Sequence, residues 1–277
     1  MANRYEAEFL HDKGYLGQNI TVAFLDVGYD LMNVEPYMDS VFIDNRVLDT
    51  YNFISDTTDV YHFTNFFSGH GTFVAAYMLA NKSNDFVGLA PKVSVLLYAT
   101  DDALTETYQD EYNYIKALER ADSVGVDIIS VSLAYDDFDP PLADYNYSDM
   151  DGKTCISTNG CRIAANKGLL IVNAAGNDGK LKAPSDADSI LGIGGAVYNL
   201  NYDNRSSTGP SFDLRIKPNV AGLTTNIGLS SPGTMGSVPY GGTSSATPQI
   251  ASLAALLMQA HPGATHMQII NAIEQSA

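Results

Sequence analysis

Short, almost continuous apolar runs recur along the chain, and longer stretches between them are apolar on one side only. Residues 19–25 form the first run, with Ile20, Val22, Ala23, Phe24 and Leu25. Its length and unbroken apolar character predict a strand buried on both faces. Residues 93–98, 126–133, 168–174 and 190–197 repeat the pattern. Residues 107–123 instead place Tyr108, Tyr112, Ile115 and Leu118 on one side at helical spacing, which predicts an amphipathic helix. Residues 73–79 read as a further helical stretch. Near the end, Ile250, Leu253, Ala254 and Leu257 recur at i, i+3, i+4 and i+7, the buried face of another helix. Pro248 falls early in it, where a missing N–H costs little. Strands alternating with helices predict an α/β fold, a three-layer sandwich with a mainly parallel central sheet and helices on both faces. No internal repeat, low-complexity tract or linker divides the pattern, so residues 1–277 are read as a single domain.

Residues 135–152 break the alternation. They carry Asp136, Asp137, Asp139, Asp144, Asp149 and Asp151 and two prolines. An irregular stretch of this length inside a compact fold predicts a functional surface loop. Within it, Asp149-Met150-Asp151-Gly152 is similar to the start of a calcium loop, but the later carboxylates of such a loop are missing. A solvated acidic turn is the expectation. Cys155 and Cys161 leave two alternatives. On one helix they would stand about 9 Å apart along the axis, too far to bridge. Across a turn at residues 156–160 they could close a small disulfide loop.

Composition narrows the function classes. The 277 residues carry a formal charge of −17, which argues against nucleic-acid binding and for an acidic surface. No run of about 18 apolar residues exists, so no membrane span is expected. Residues 1–19 contain charges throughout and no apolar signal segment. The chain therefore reads as cytoplasmic, or as a mature form whose leader lies outside it.

Four residues within two positions of a glycine carry candidate chemistry. Asp26 ends the first apolar run, where open α/β sheets place their sites. His70 lies between Gly69 and Gly71 at a helix start; His11, His62, His261 and His266 lack such a frame. Asn177 follows Gly176. Ser244 follows Gly242-Thr243 at the start of the last long helix, where unpaired N–H groups and the helix dipole favour negative charge. Each has a plainer role alone: a turn aspartate, a structural histidine, a turn asparagine, a helix-capping serine. Together they make one constellation. Cleaving an amide at neutral pH needs an activated hydroxyl, a base to take its proton, and an acid to hold that base in one tautomer. A carboxamide N–H and a backbone N–H would meet the oxyanion.

The motifs Phe24-Leu25-Asp26-Val27-Gly28, Ser68-Gly69-His70-Gly71-Thr72, Ala175-Gly176-Asn177 and Tyr240-Gly241-Gly242-Thr243-Ser244-Ser245-Ala246-Thr247-Pro248 resemble the four signatures of the subtilisin-like serine proteases. They occur in that family's order, acid, histidine, serine. Val87-Gly88-Leu89-Ala90-Pro91, residues 128–133 and Arg215-Ile216-Lys217-Pro218 add to the resemblance, which runs from about Gly14 to Ala277. It implies a subtilisin-like fold and a serine endopeptidase working through an acyl-enzyme. Asp26, His70 and Ser244 would be the catalytic triad and Asn177 the side-chain oxyanion donor. Ser132, Leu133 and Ala134 would offer an open strand edge to a protein or peptide substrate bound as an extended strand. Ala174, Ala175 and Gly176 would form the other pocket wall. No cofactor is required for the chemistry and no metal ligand is assigned. Structural calcium is left open without a specific motif, and the stretch from Asn81 to Val87 is shorter than the calcium loop of related enzymes. The resemblance further implies a secreted monomer, extracellular or periplasmic, with a pro-segment as its natural inhibitor. On the same resemblance, that pro-segment and a final C-terminal strand are expected to lie outside residues 1–277. Ala134 stands where glycine is common, which narrows the pocket mouth. Two other readings fit the same motifs: a catalytically silent binding scaffold, and a peptide acyl-transferase of the same fold.

Overall fold

The computed structural model describes residues 5–62, 69–225, 227–231, 233–237 and 241–277. Ser68 and Tyr240 of the motifs above lie outside the described residues. Eleven strands are described: β1 (Thr21–Asp26), β2 (Val47–Asn52), β3 (Asn81–Lys82), β4 (Phe86–Val87), β5 (Ser94–Ala99), β6 (Ile128–Val131), β7 (Leu170–Ala174), β8 (Leu191–Ala196), β9 (Val220–Leu223), β10 (Ile227–Ser231) and β11 (Thr234–Ser237). The helices are α1 (Ala7–Asp12), α2 (Asp39–Ile43), α3 (His70–Leu79), α4 (Tyr108–Val124), α5 (Ile156–Asn166), α6 (Thr243–Ala260) and α7 (His266–Ser276). Seven strands form one sheet in the order β2-β5-β1-β6-β7-β8-β9. Every pairing in it is parallel. The remaining strands make two small antiparallel hairpins.

The apolar runs become strands because both faces are covered. Val22 and Phe24 of β1 join Leu97, Ile128 and Val172 in a core closed by Ala76 and Leu79 of α3 and Ile250 and Ala254 of α6. The alternate residues Ala23 and Leu25 join Leu96, Ile129 and Ile171 in a second core, closed by Tyr114 and Leu118 of α4 and Cys161 and Ala164 of α5. The period-two alternation of strand side chains thus feeds two helical layers, the three-layer α/β sandwich expected.

The pattern of α6 differs from expectation. Its residues 243–252 are all buried, because the helix lies against β6, β7, β8 and β9 and against α3 and α7. A helix enclosed this way shows no single apolar stripe over that part. Pro248 also lies beyond the first turn, at a position whose N–H would bond to the Ser244 carbonyl. Ser132 Oγ donates to that carbonyl instead, at 3.0 Å, which offsets the lost helical bond.

Topology places the site. The chain runs from β1 to β2 and β5 on one side, then crosses to β6–β9 on the other. The strand order reverses at β1, and ligands of open α/β sheets bind outside the carboxyl ends of strands at such a switch. Asp26 pairs in register with Ala99, Leu25 with Val131, and Val131 with Asn173. Asp26, Ser132 and Ala174 therefore stand together along one edge.

The acidic segment 135–152 packs as an ordered loop. Phe138 and Tyr145 meet Tyr108 of α4, and a 3₁₀ turn spans Tyr147–Asp149. Asp151 Oδ1 accepts from the N–H groups of Lys153 and Thr154, and Asp149 caps the Asn146 N–H. These carboxylates serve local turns. Cys155 precedes α5 and Cys161 sits within it; both are buried free thiols. One helix holds them apart.

Candidate active site

Asp26 closes β1 and is almost fully buried. Its Oδ1 accepts from the Val27 N–H at 2.9 Å and from His70 Nδ1 at 2.7 Å. His70 opens α3, and the first turn of that helix is docked on the loop after β1. Gly71 N–H donates to the Gly28 carbonyl at 3.0 Å, and Thr72 Oγ1 donates to the Asp30 carbonyl at 2.9 Å. A Cβ at position 71 would lie 2.3 Å from the Gly28 oxygen and 2.8 Å from the Tyr29 ring. Only glycine permits this approach, and the approach brings imidazole to carboxylate. Gly71→Ala is therefore expected to overpack the contact, cost about 1–3 kcal/mol and loosen the His70–Asp26 pair. Urea unfolding checks it: an unchanged midpoint would refute the steric argument.

The pair sets the state of the imidazole. A carboxylate at Nδ1 holds the proton there and leaves Nε2 as the acceptor in the neutral ring. The His70 side chain is 14% exposed. Burial by itself disfavours the imidazolium, but the charge and the hydrogen bond of Asp26 together outweigh it. The pKa is raised above its ordinary 6.5.

Ser244 lies in the first turn of α6, where backbone N–H groups lack helical partners and the helix dipole favours negative charge. Its Oγ donates to the Ser132 carbonyl at 3.3 Å, while Ser132 Oγ donates to the Ser244 carbonyl. The end of β6 and the start of α6 are thus joined by a reciprocal pair. Gly242 before the helix has φ +135°, and a Cβ there would lie 2.4 Å from Asn177 Oδ1. Through this gap the Thr243 N–H donates to Asn177 Oδ1 at 2.9 Å and Thr243 Oγ1 donates to it at 3.1 Å. A backbone N–H can only donate, so the oxygen of the carboxamide is the atom facing α6. The NH2 is left as the outward donor on an exposed side chain.

A cavity of about 280 Å³ lies beside Ser244 and Asn177, lined by Ser132, Leu133, Ala134, Ala174, Gly176, Asn177, Asp178, Lys182, Thr243 and Ser244. Most of the residues expected to bind substrate meet there. Ala175 is the exception: it is fully buried behind the wall, with its N–H donating to the Ile193 carbonyl at 2.9 Å. The motifs assigned no role to Asp178, Lys182 or Thr243. Thr243 lay within the serine motif and Asp178 directly after Asn177; nothing in the local pattern marked Lys182.

Among the described residues no group of three or more His, Cys, Asp or Glu side chains is arranged to hold a metal ion. The Asn81–Val87 stretch is the β3–β4 hairpin. Its Asp85 carboxylate accepts from the Tyr37 hydroxyl at 2.5 Å and lies 3.5 Å from Lys82 Nζ, the donor set of an ion pair. Among the described residues no helix is long and apolar enough to cross a membrane.

Comparison with known proteins agrees with this fold. The chain matches the Subtilase family over residues 17–277. It is 31% identical over 284 residues to subtilisin from Bacillus pumilus, covering 99% of this chain and 90% of that protein. It is 30% identical over 283 residues to subtilisin E from Bacillus subtilis, covering 99% of this chain but 65% of that relative. The chain thus spans just under two thirds of the length of that relative. The fold is shared with solved structures. A structure of MycP1 from the ESX-1 type VII secretion system superposes with TM-score 0.75 at 23% identity, covering 98% of this chain and 77% of that one. A cold adapted subtilisin-like serine proteinase superposes with TM-score 0.71 at 17% identity, covering 94% and 82%. With its match running from residue 17 to the last residue and a sheet of the same architecture, the chain belongs to the subtilase family.

Proposed function

We propose that this protein is a serine endopeptidase in which Ser244, His70 and Asp26 hydrolyse peptide bonds through an acyl-enzyme. The observation that carries the reading is the 2.7 Å contact of His70 Nδ1 with buried Asp26, at the same sheet edge as Ser132, to which Ser244 is hydrogen-bonded. The Ser244 hydroxyl turns from the Ser132 carbonyl to His70 Nε2. Its oxygen attacks the scissile carbonyl carbon as its proton passes to Nε2. The oxyanion is met by the Asn177 NH2 and the Ser244 N–H. As the C–N bond breaks, Nε2 returns the proton to the leaving amine. Water then repeats the sequence on the ester, losing a proton to Nε2 and releasing the acid and free Ser244. Substrate lies extended along Ser132, Leu133 and Ala134 as an added strand. An N–H of that strand taking the Ser132 carbonyl would displace the resting Ser244 hydroxyl toward His70. On the same reading residues 1–277 act as one catalytic domain, with no cofactor in the chemistry.

A fluorophosphonate probe tests the assignment. The adduct is expected on the tryptic peptide containing Ser244, read by mass spectrometry, with loss of peptide hydrolysis in step. Full labelling elsewhere, or none at all, would favour the binding scaffold. Product masses from a peptide offered with an added amine separate hydrolysis from acyl transfer.

The pH profile tests the base. His70 must be neutral to accept the proton, and its pKa is raised above 6.5. The acid limb of kcat/KM is therefore expected to have its midpoint above 6.5, with activity rising as pH passes through it. A midpoint at or below 6.5 contradicts the role given to Asp26.

A further inference from the structure

The 280 Å³ cavity beside Ser244 is backed by a larger one of about 500 Å³, lined by Asp136, Tyr145, Tyr147, Met150, Leu181 and Thr208. The wall between them is narrow. Tyr135 and Ala183 exchange backbone hydrogen bonds of 2.8 Å and 3.0 Å, an isolated antiparallel bridge. Residues on either side of that bridge face different spaces. Ala134 and Lys182 line the small cavity, whereas Asp136 and Leu181 line the large one.

Lys182 completes the wall. Its ammonium is clamped by Asp136 at 2.5 Å and Asp178 at 2.9 Å. Its side chain is only 18% exposed. The aliphatic stem lies over Gly176, where an added Cβ would come within 3.1 Å of Lys182 Cδ. Two carboxylates on a half-enclosed ammonium fix a side chain that would otherwise be free to swing. The small cavity also has to admit the scissile carbonyl, since Asn177 and Ser244 are part of its lining.

We propose that Lys182 sets the depth of the specificity pocket: it restricts the side chain before the scissile bond to small, uncharged residues and shuts off the larger cavity behind. This rests on the protease reading above. A lysine or arginine in the pocket would have to compete with the Lys182 ammonium for the Asp178 carboxylate it already holds. An acidic side chain would have to compete with two carboxylates already in place. A long apolar one would strike the lysine stem. The larger cavity, with Tyr145, Tyr147, Met150 and Leu181, has the apolar lining that a long side chain would need.

The test compares wild type with Lys182→Ala and Lys182→Met on peptides that differ only at that position, carrying Ala, Ser, Leu, Phe, Lys or Glu. Wild type is expected to prefer Ala and Ser. In Lys182→Ala the kcat/KM ratio of Phe over Ala is expected to rise about tenfold or more, the range in which apolar pockets discriminate. Lys182→Met keeps much of the stem but loses the clamp on the ammonium, and is expected to raise the ratio by less than Lys182→Ala does. If Lys182→Ala does not fold because two carboxylates lose their partner, Lys182→Ala/Asp136→Asn carries the same expectation. A wild type that favours Phe, or an unchanged ratio in an active alanine variant, overturns the proposal while leaving the protease reading standing. A wild type that cuts no peptide and takes no fluorophosphonate overturns both.

Discussion

Replacing Ser244 with alanine is expected to lower kcat toward peptides about a million-fold, the order found when the nucleophile is removed from subtilisin itself. The reason is local. On the proposed reading the Ser244 hydroxyl supplies the attacking oxygen; the neighbouring hydroxyl of Thr243 is engaged by Asn177 Oδ1 and the Gly176 carbonyl. Residual turnover would come from the Asn177 carboxamide and the bound substrate edge, which act without the nucleophile. Stability should hardly change. The variant loses one hydrogen bond, from Ser244 Oγ to the Ser132 carbonyl, worth about 0.5–1.5 kcal/mol. Steady-state kinetics and urea unfolding on the same preparation separate the two effects. A loss below a hundredfold with an intact fold would remove Ser244 from the role of nucleophile.

Asp26→Asn is expected to lower kcat/KM by about 10,000-fold and to move the acid limb downward. Asparagine keeps the shape but carries no charge. It can also turn its NH2 toward Nδ1, which favours the tautomer with the proton on Nε2, the wrong one for a base. Burial alone would then act on His70, and burial disfavours the imidazolium; the charge and hydrogen bond that now raise its pKa would be gone. The midpoint should therefore fall below that of the wild type. Retained activity, or an acid limb that stays in place, would show that the 2.7 Å contact is structural and not catalytic.

Much of this was legible in the linear chain, because the signals are local. Strands buried on both faces need unbroken apolar runs, and Val22 to Leu25 can be recognised without knowing their neighbours. The amphipathic face of α4 follows from spacing alone. Asp26, His70, Asn177 and Ser244 each sit within two residues of a glycine, so their candidacy was readable too. Gly71 and Gly242 show why: backbone or carboxamide occupies the space a Cβ would take.

Tertiary structure decided what the pattern could not. The burial of α6 on every side through residue 252 depends on a sheet assembled from four distant strands. The replacement of the helical bond lost at Pro248 depends on Ser132, 112 positions from Ser244 in sequence. Ala175 follows the strand run like its neighbours, yet it points behind the pocket wall. Lys182 looks like an ordinary surface lysine until Asp136 and Asp178 close on it. Periodicity and turn chemistry are properties of a few consecutive residues, so the sequence alone determined the elements and the candidates. Which side chains then meet is a property of packing between segments far apart in the chain, and only the folded sheet brings those segments together.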